Sequence, residues 1–263
     1  MNMFFSSAFS DSELTFGQIK CPSRLMIGTG RYADNRVIPE VLKAARADMI
    51  TVALRRAQND TESIMSHIPA GTPLLPNTSG ARTVEEAVRI AHIAREAGMG
   101  TLIKLEVIPD TRYLLPDNHQ TVLATQQLAR DGFVVLPYVL PDPIIAQQLA
   151  DAGASAVMPL GAPIGTNAGL QNQSLIRIII EQSRLPVIVD AGIGLPSHAA
   201  QAMEMGAAAV LLNTAIATAQ NPVAMAEAFY HAVQAGRKAF LAQPRAAQIQ
   251  AQPSSPPTGG LRI

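Results

Sequence analysis

The chain has 263 residues, 48% of them hydrophobic, and 20 basic side chains balance 20 acidic ones. A single domain of that length buries a large core, and the even charge leaves no basic surplus for a polyphosphate, so nucleic acid is not expected as a partner. A lone cysteine, Cys21, excludes an internal disulfide and a cysteine zinc cluster.

Residues 1–13 read as a flexible extension, polar with Phe4, Phe5 and Phe9 among serines. It has neither the basic start nor the long apolar core of a secretory signal. No apolar stretch is long enough to span a membrane, and a cytoplasmic location is expected. Residues 14–20 read as a short covering strand. Strand-like and helix-like segments then alternate. The spacing predicts strands over 24–28, 49–54, 73–76, 101–107, 133–138, 156–160, 186–189 and 209–212. All are short and apolar, as expected when both faces are buried. Helices are predicted over 34–47, 61–68, 83–97, 120–130, 142–153, 174–182, 196–205 and 222–235. Their ends carry punctuation. Asp34 is an N-cap, Thr83 and Glu86 make a capping box, and Pro143 follows Asp142 at a first helical position. Gly98, Gly153, Gly206 and Gly236 read as stops. Eight strand–helix units predict a single-domain (β/α)8 barrel, a TIM barrel, over residues 14–240. An open doubly wound sheet is the alternative. Residues 241–263 form a Gln-, Pro- and Ala-rich tail, either disordered or a lid over the site.

Chemistry concentrates in the fourth predicted strand, Thr101-Leu102-Ile103-Lys104-Leu105-Glu106-Val107. Side chains two apart on a strand share a face, so Lys104 and Glu106 point one way with Leu102. Thr101, Ile103, Leu105 and Val107 point the other way. A lysine buried there either loses proton affinity or finds a partner. With a lowered pKa it is a nucleophile for carbonyls. A structural Lys–Glu pair is the competing reading. Four lysines stand against sixteen arginines, and Lys104 is the only lysine between Lys43 and Lys238. That sets it apart from ordinary surface charge.

Barrel enzymes place their sites at the C-terminal strand ends. Sorting by strand end gathers Arg55, Arg56, Asn77, Lys104, Glu106, Asp190 and Asn213 at one rim. After the seventh and eighth strands come Ala191-Gly192-Ile193-Gly194 and Asn213-Thr214. Backbone amides exposed by glycine in these loops suit a phosphate; tight-turn glycine is the plainer reading. Gly161 and Gly165 either add amides or permit a turn. Asp190 is a general acid–base group or a helix cap. Tyr138 lines the mouth or packs in the core. The five histidines, His67, His92, His119, His198 and His231, show no ligand spacing, and no metal is expected. The set fits a lysine that forms an imine with a small sugar phosphate while two carboxylates move protons.

Longer blocks carry a resemblance. Gly28-Thr29-Gly30, Leu75-Pro76-Asn77-Thr78-Ser79-Gly80, Lys104-Leu105-Glu106, Leu114-Leu115-Pro116-Asp117 and Gly132-Phe133-Val134-Val135-Leu136-Pro137-Tyr138 occur in that order. Met158-Pro159-Leu160-Gly161-Ala162-Pro163-Ile164-Gly165, Val189-Asp190-Ala191-Gly192-Ile193-Gly194 and Leu212-Asn213-Thr214-Ala215-Ile216-Ala217 follow. The chain resembles thiazole synthase, the barrel enzyme of bacterial thiamine biosynthesis, over roughly residues 14–240. The resemblance implies 1-deoxy-D-xylulose 5-phosphate as substrate, held as an imine on Lys104. It implies Glu106 and Asp190 as acid–base carboxylates, and Gly165, Ala191, Gly192, Asn213 and Thr214 as phosphate-binding positions. Sulfur would come from the thiocarboxylate of a small sulfur-carrier protein, and dehydroglycine would complete the ring. A homotetramer and no cofactor are also implied. Two rivals remain: a Schiff-base aldolase, and a non-catalytic barrel that serves as a protein scaffold.

Overall fold

Aliphatic and β-branched side chains occupy both faces of runs too short to make helices, and these runs become the strands. The computed structural model describes residues 11–54 and 64–252. A small antiparallel hairpin, β1 (Thr15–Phe16) and β2 (Ile19–Lys20), comes first. The single covering strand expected over 14–20 is thus two. Gly17, with φ of 59°, supplies the left-handed turn between them.

Eight parallel strands follow: β3 (Leu25–Gly28), β4 (Ile50–Ala53), β5 (Leu74–Asn77), β6 (Leu102–Leu105), β7 (Val134–Val139), β8 (Met158–Pro159), β9 (Ile188–Asp190) and β10 (Ala209–Leu212). They pair in the order β8-β7-β6-β5-β4-β3-β10-β9. Parallel bridges Val157–Val187 and Leu160–Asp190 join β8 to β9 and close the ring. The (β/α)8 barrel is therefore present, and the open sheet is excluded.

The helices are α1 (Ile38–Ala45), α2 (Val84–Glu96), α3 (Asn118–Arg130), α4 (Pro143–Asp151), α5 (Gln173–Gln182), α6 (Pro196–Glu204), α7 (Thr214–Ala217) and α8 (Pro222–Leu241). Of the helix expected over 61–68, residues 64 and 65 are helical, and 61–63 lie outside the described residues. Asp34 caps a 3-10 turn, Asn35–Val37, that leads into α1. Thr83 accepts from the Glu86 amide, while the Glu86 carboxylate reaches the Arg82 amide. Asp142 accepts from the amides of Ile144 and Ile145.

One stop signal fails. Gly236 does not end α8, which continues to Leu241. The glycine serves close packing instead. A Cβ there would lie 2.4 Å from the Ala200 carbonyl oxygen and 2.8 Å from Met203 Cβ, both on α6. Residues 242–252 lie outside helix and strand.

The core divides along the strand pleat. Leu102 joins Met26, Met49, Leu75, Leu136 and Met158 inside the barrel. Phe16, from the hairpin, packs into the same cluster and plugs it from below. Ile103, Leu105 and Val107 face outward against α2 and α3, with Ala91, Ala124 and Leu128. The alternation expected for 101–107 is what places Lys104 and Glu106 inside. Arg24, nearly buried, holds the N-terminal segment through Asp11, whose carboxylate also meets Arg237 on α8.

Candidate active site

Lys104 stands on β6 one step above the Leu102 layer, so its ammonium rises into the upper barrel. Its Nζ lies 2.5 Å from Asp190 Oδ2 and 3.3 Å from Glu106 Oε1. The three side chains are only 7%, 3% and 6% exposed, respectively. Asp190 arrives from the last residue of β9. Glu106 is fixed through its backbone. Its amide donates to Thr78 Oγ1 at 2.8 Å, and the Thr78 hydroxyl donates to its carbonyl at 2.7 Å. Thr78 is fully buried behind Asn77, the residue paired with Lys104 across β5 and β6.

These groups set one another's proton affinity. Burial presses Lys104 toward the neutral amine, but Asp190 and then Glu106 outweigh it and raise its pKa. Of the two outcomes expected for a buried lysine, this is the partnered one. Burial raises the Glu106 pKa; Lys104 opposes the shift and Asp190 adds to it. Tyr138 is fully buried with its ring centroid 5.4 Å from the Lys104 Nζ. Burial raises the Tyr138 pKa, followed by the Asp190 and Glu106 charges.

Lys104, Glu106 and Asp190 line a cavity of about 340 Å3 at the C-terminal mouth of the barrel. Gly165, Ala191, Gly192, Asn213 and Thr214 line it as well. The loop after β9 adopts left-handed backbone at Ala191 (φ 58°) and Gly192 (φ 72°). A Cβ on Gly192 would lie 2.5 Å from the Ala162 amide nitrogen, so the loop after β8 presses directly on it. Gly194 is absent from the lining. It permits contact with Asn167, where a Cβ would lie 2.4 Å from the Asn167 Cβ. The amides of Gly194 and Leu195 both donate to His198 Nδ1 at 3.3 Å, which fixes the end of this loop. Asn213 donates through Nδ2 to the Gly30 carbonyl at 2.7 Å.

Asn77 lines the same cavity, and Arg55 and Arg56 lie outside the described residues. Sequence reasoning missed Thr29, Arg31, Thr51, Ser79 and Asn167 in the lining. Gly28-Thr29-Gly30 carried a signal, since it ends a strand at the same rim. Thr51 and Asn167 carried none, because nothing local marks a strand threonine or a loop asparagine as facing a cavity. Among the described residues, no helix is long and apolar enough to cross a membrane.

Comparison with known proteins converges on one family. The family model of the thiazole biosynthesis protein ThiG matches residues 15–256. A thiazole synthase of Pelotomaculum thermopropionicum is 60% identical over 242 residues, 91% of this chain and 94% of that protein. A thiazole synthase of Moorella thermoacetica is 58% identical over 251 residues, covering 95% and 98%. Among solved structures, the Amycolatopsis orientalis BexX/CysO complex superposes with a TM-score of 0.83 at 33% identity, covering 91% of this chain and 100% of the matched one. A mandelate oxidase variant, TM-score 0.62 at 15% identity, shares the barrel alone. A family match from the covering hairpin to beyond the last helix, with relatives alike over nearly their whole length, makes the chain a member of the ThiG family of thiazole synthases, enzymes of thiamine biosynthesis.

Proposed function

We propose that the cavity holds 1-deoxy-D-xylulose 5-phosphate as an imine on Lys104 and builds the thiazole phosphate carboxylate from it. The observation that carries this reading is a buried lysine between two carboxylates in the wall of a cavity sized for a small molecule. The free amine of Lys104 adds to the sugar carbonyl and forms a C–N bond. Proton transfers expel the carbonyl oxygen as water, leaving a protonated imine. That imine draws electrons from the neighbouring carbon and acidifies its C–H bond. Glu106 and Asp190 are placed to take and return the protons of enolisation and dehydration. No net oxidation occurs in these steps. Gly165, Ala191, Gly192, Asn213 and Thr214 take the phosphate, whose binding energy orients the carbonyl toward Lys104. Gly194 supports their loop rather than touching the ligand.

Sulfur enters from the thiocarboxylate of a small carrier protein, and dehydroglycine (2-iminoacetate) completes the ring. A structural neighbour solved as a complex of two proteins supports a protein partner. The chemistry asks for no cofactor or metal. Exposed Ile93 on α2, Leu123 on α3 and Ile144 on α4 offer apolar surface for a homo-oligomer, a tetramer by family resemblance. A cytoplasmic setting fits a pathway enzyme with one free thiol.

The test is intact-protein mass after borohydride reduction with 1-deoxy-D-xylulose 5-phosphate. A reduced adduct on the wild type, absent from folded Lys104→Ala, supports the imine. Sulfur incorporation on adding the thiocarboxylated carrier then excludes an aldolase. No adduct on the folded wild type refutes the mechanism and favours a scaffold.

A further inference from the structure

Arg31 has no part in the chemistry above, yet it lines the same cavity as Lys104. Three observations fix where it stands. Asn213 Nδ2 donates to the carbonyl of Gly30 at 2.7 Å, tying the loop after β3 to the loop after β10. Gly28 allows that approach, since a Cβ there would lie 2.9 Å from Asn213 Cβ. The Arg31 backbone then turns left-handed, with φ of 70°. A non-glycine residue in that region costs about 1 kcal/mol and persists where the surroundings impose it. The turn brings the guanidinium over Gly165. A Cβ on Gly165 would lie 3.1 Å from Arg31 Nη1 and 3.9 Å from Thr214 Oγ1. One point in the cavity thus has a guanidinium, a hydroxyl and a left-handed glycine around it.

Charge sets what Arg31 can do in the cavity. Around Lys104, two carboxylates outnumber one ammonium. Among the described residues, Arg31 has no ion-pair partner. A ligand with an anionic tail and a carbonyl head is therefore oriented by the field, tail to Arg31 and head to Lys104. The guanidinium fork matches two phosphate oxygens at once, which an ammonium cannot do.

We infer that Arg31 clasps the substrate phosphate beside Gly165 and Thr214, and sets the enzyme's preference for phosphorylated over free sugar. The inference rests on the sugar-phosphate reading above. Arg31 is exposed, so its replacement spares the core.

Two measurements on the full chain test it. The first is the borohydride-trapped adduct against concentration, for 1-deoxy-D-xylulose 5-phosphate and for the same sugar without phosphate. Arg31→Ala is expected to raise the half-saturating concentration of the phosphate ester about 10- to 100-fold. Adduct yield at saturation and trapping of the free sugar should not change. Arg31→Lys should recover part of the loss. The second is binding of inorganic phosphate, followed by phosphorus NMR, which needs no imine. Arg31→Ala should weaken it by a similar factor. Equal half-saturation in wild type and Arg31→Ala overturns the inference, as does equal weakening for both sugars. If the wild type forms no adduct, the imine reading falls alone. Phosphate binding then decides, and unchanged affinity in Arg31→Ala overturns the clasp.

Discussion

Lys104 Nζ lies 2.5 Å from Asp190 Oδ2, although β7 and β8 separate their strands around the barrel wall. The pair meets across the interior, above the layer of Leu102, Leu136 and Met158 that plugs the space below. Three charges are thereby enclosed together with little solvent. Removing the lysine from such a group leaves two buried carboxylates uncompensated.

The pH dependence of imine formation follows. Burial favours the neutral amine of Lys104, but Asp190 and Glu106 together hold its pKa above the ordinary value. Imine formation consumes the free amine, so trapping should rise with pH through the alkaline range. Glu106→Gln removes one attracting charge and should move that rising limb to lower pH. Adduct mass against pH for the two proteins checks the shift. A limb that stays in place would mean that Glu106 does not control the lysine.

Gly192→Ala tests the loop after β9. The new methyl meets the Ala162 amide nitrogen at 2.5 Å on a backbone with φ of 72°. Clash and strain add, and the loss should be about 2 kcal/mol or more. Thermal melting should drop by roughly 4–8 °C, and phosphate affinity should fall with it. A variant with wild-type melting and phosphate binding would show the loop to be more pliable than its packing implies.

Cys21 should be inert in the native protein. Its thiol is buried at the foot of the barrel and its pKa is pushed up to about 11, by burial first and then by Asp48. Thiolate is the reactive form, so alkylation at pH 8 should require unfolding. The sign for stability follows from the raised value. The folded state holds the proton more tightly, so this contribution is complete below the unfolded pKa. It is lost as the pH climbs toward 11, a change on the order of 2 kcal/mol. Labelling by iodoacetamide with and without denaturant checks the first point, and urea melts at pH 8 and pH 10.5 check the second.

Gly236→Ala sets two effects against each other. Alanine favours helix over glycine by about 1 kcal/mol. The added methyl would sit 2.4 Å from the Ala200 carbonyl oxygen and force α6 and α8 apart. Overpacking of that kind costs about 1–3 kcal/mol. The clash should win, giving a lower melting temperature. A higher one would mean that the helix pair adjusts freely.

The barrel was legible because its signal is local and repeated. Eight apolar runs and their caps, such as Thr83 and Asp142, are properties of neighbouring residues. Strand alternation likewise set Lys104 and Glu106 facing inward with Leu102. Gly236 misled because a glycine that ends a helix and one that lets two helices touch look the same in sequence.

What the chain could not declare by itself was proximity. That Asp190 reaches Lys104 depends on how the closed ring turns β9 toward β6. That Arg31 shares a cavity with them depends on Asn213, far along the chain, gripping the Gly30 carbonyl. Pattern and composition determined which segments are strands and which side chains face inward, because those depend on a few adjacent residues. Closure of the barrel decided which inward-facing charges meet, because it joins residues whose separation in sequence carries no trace of their separation in space.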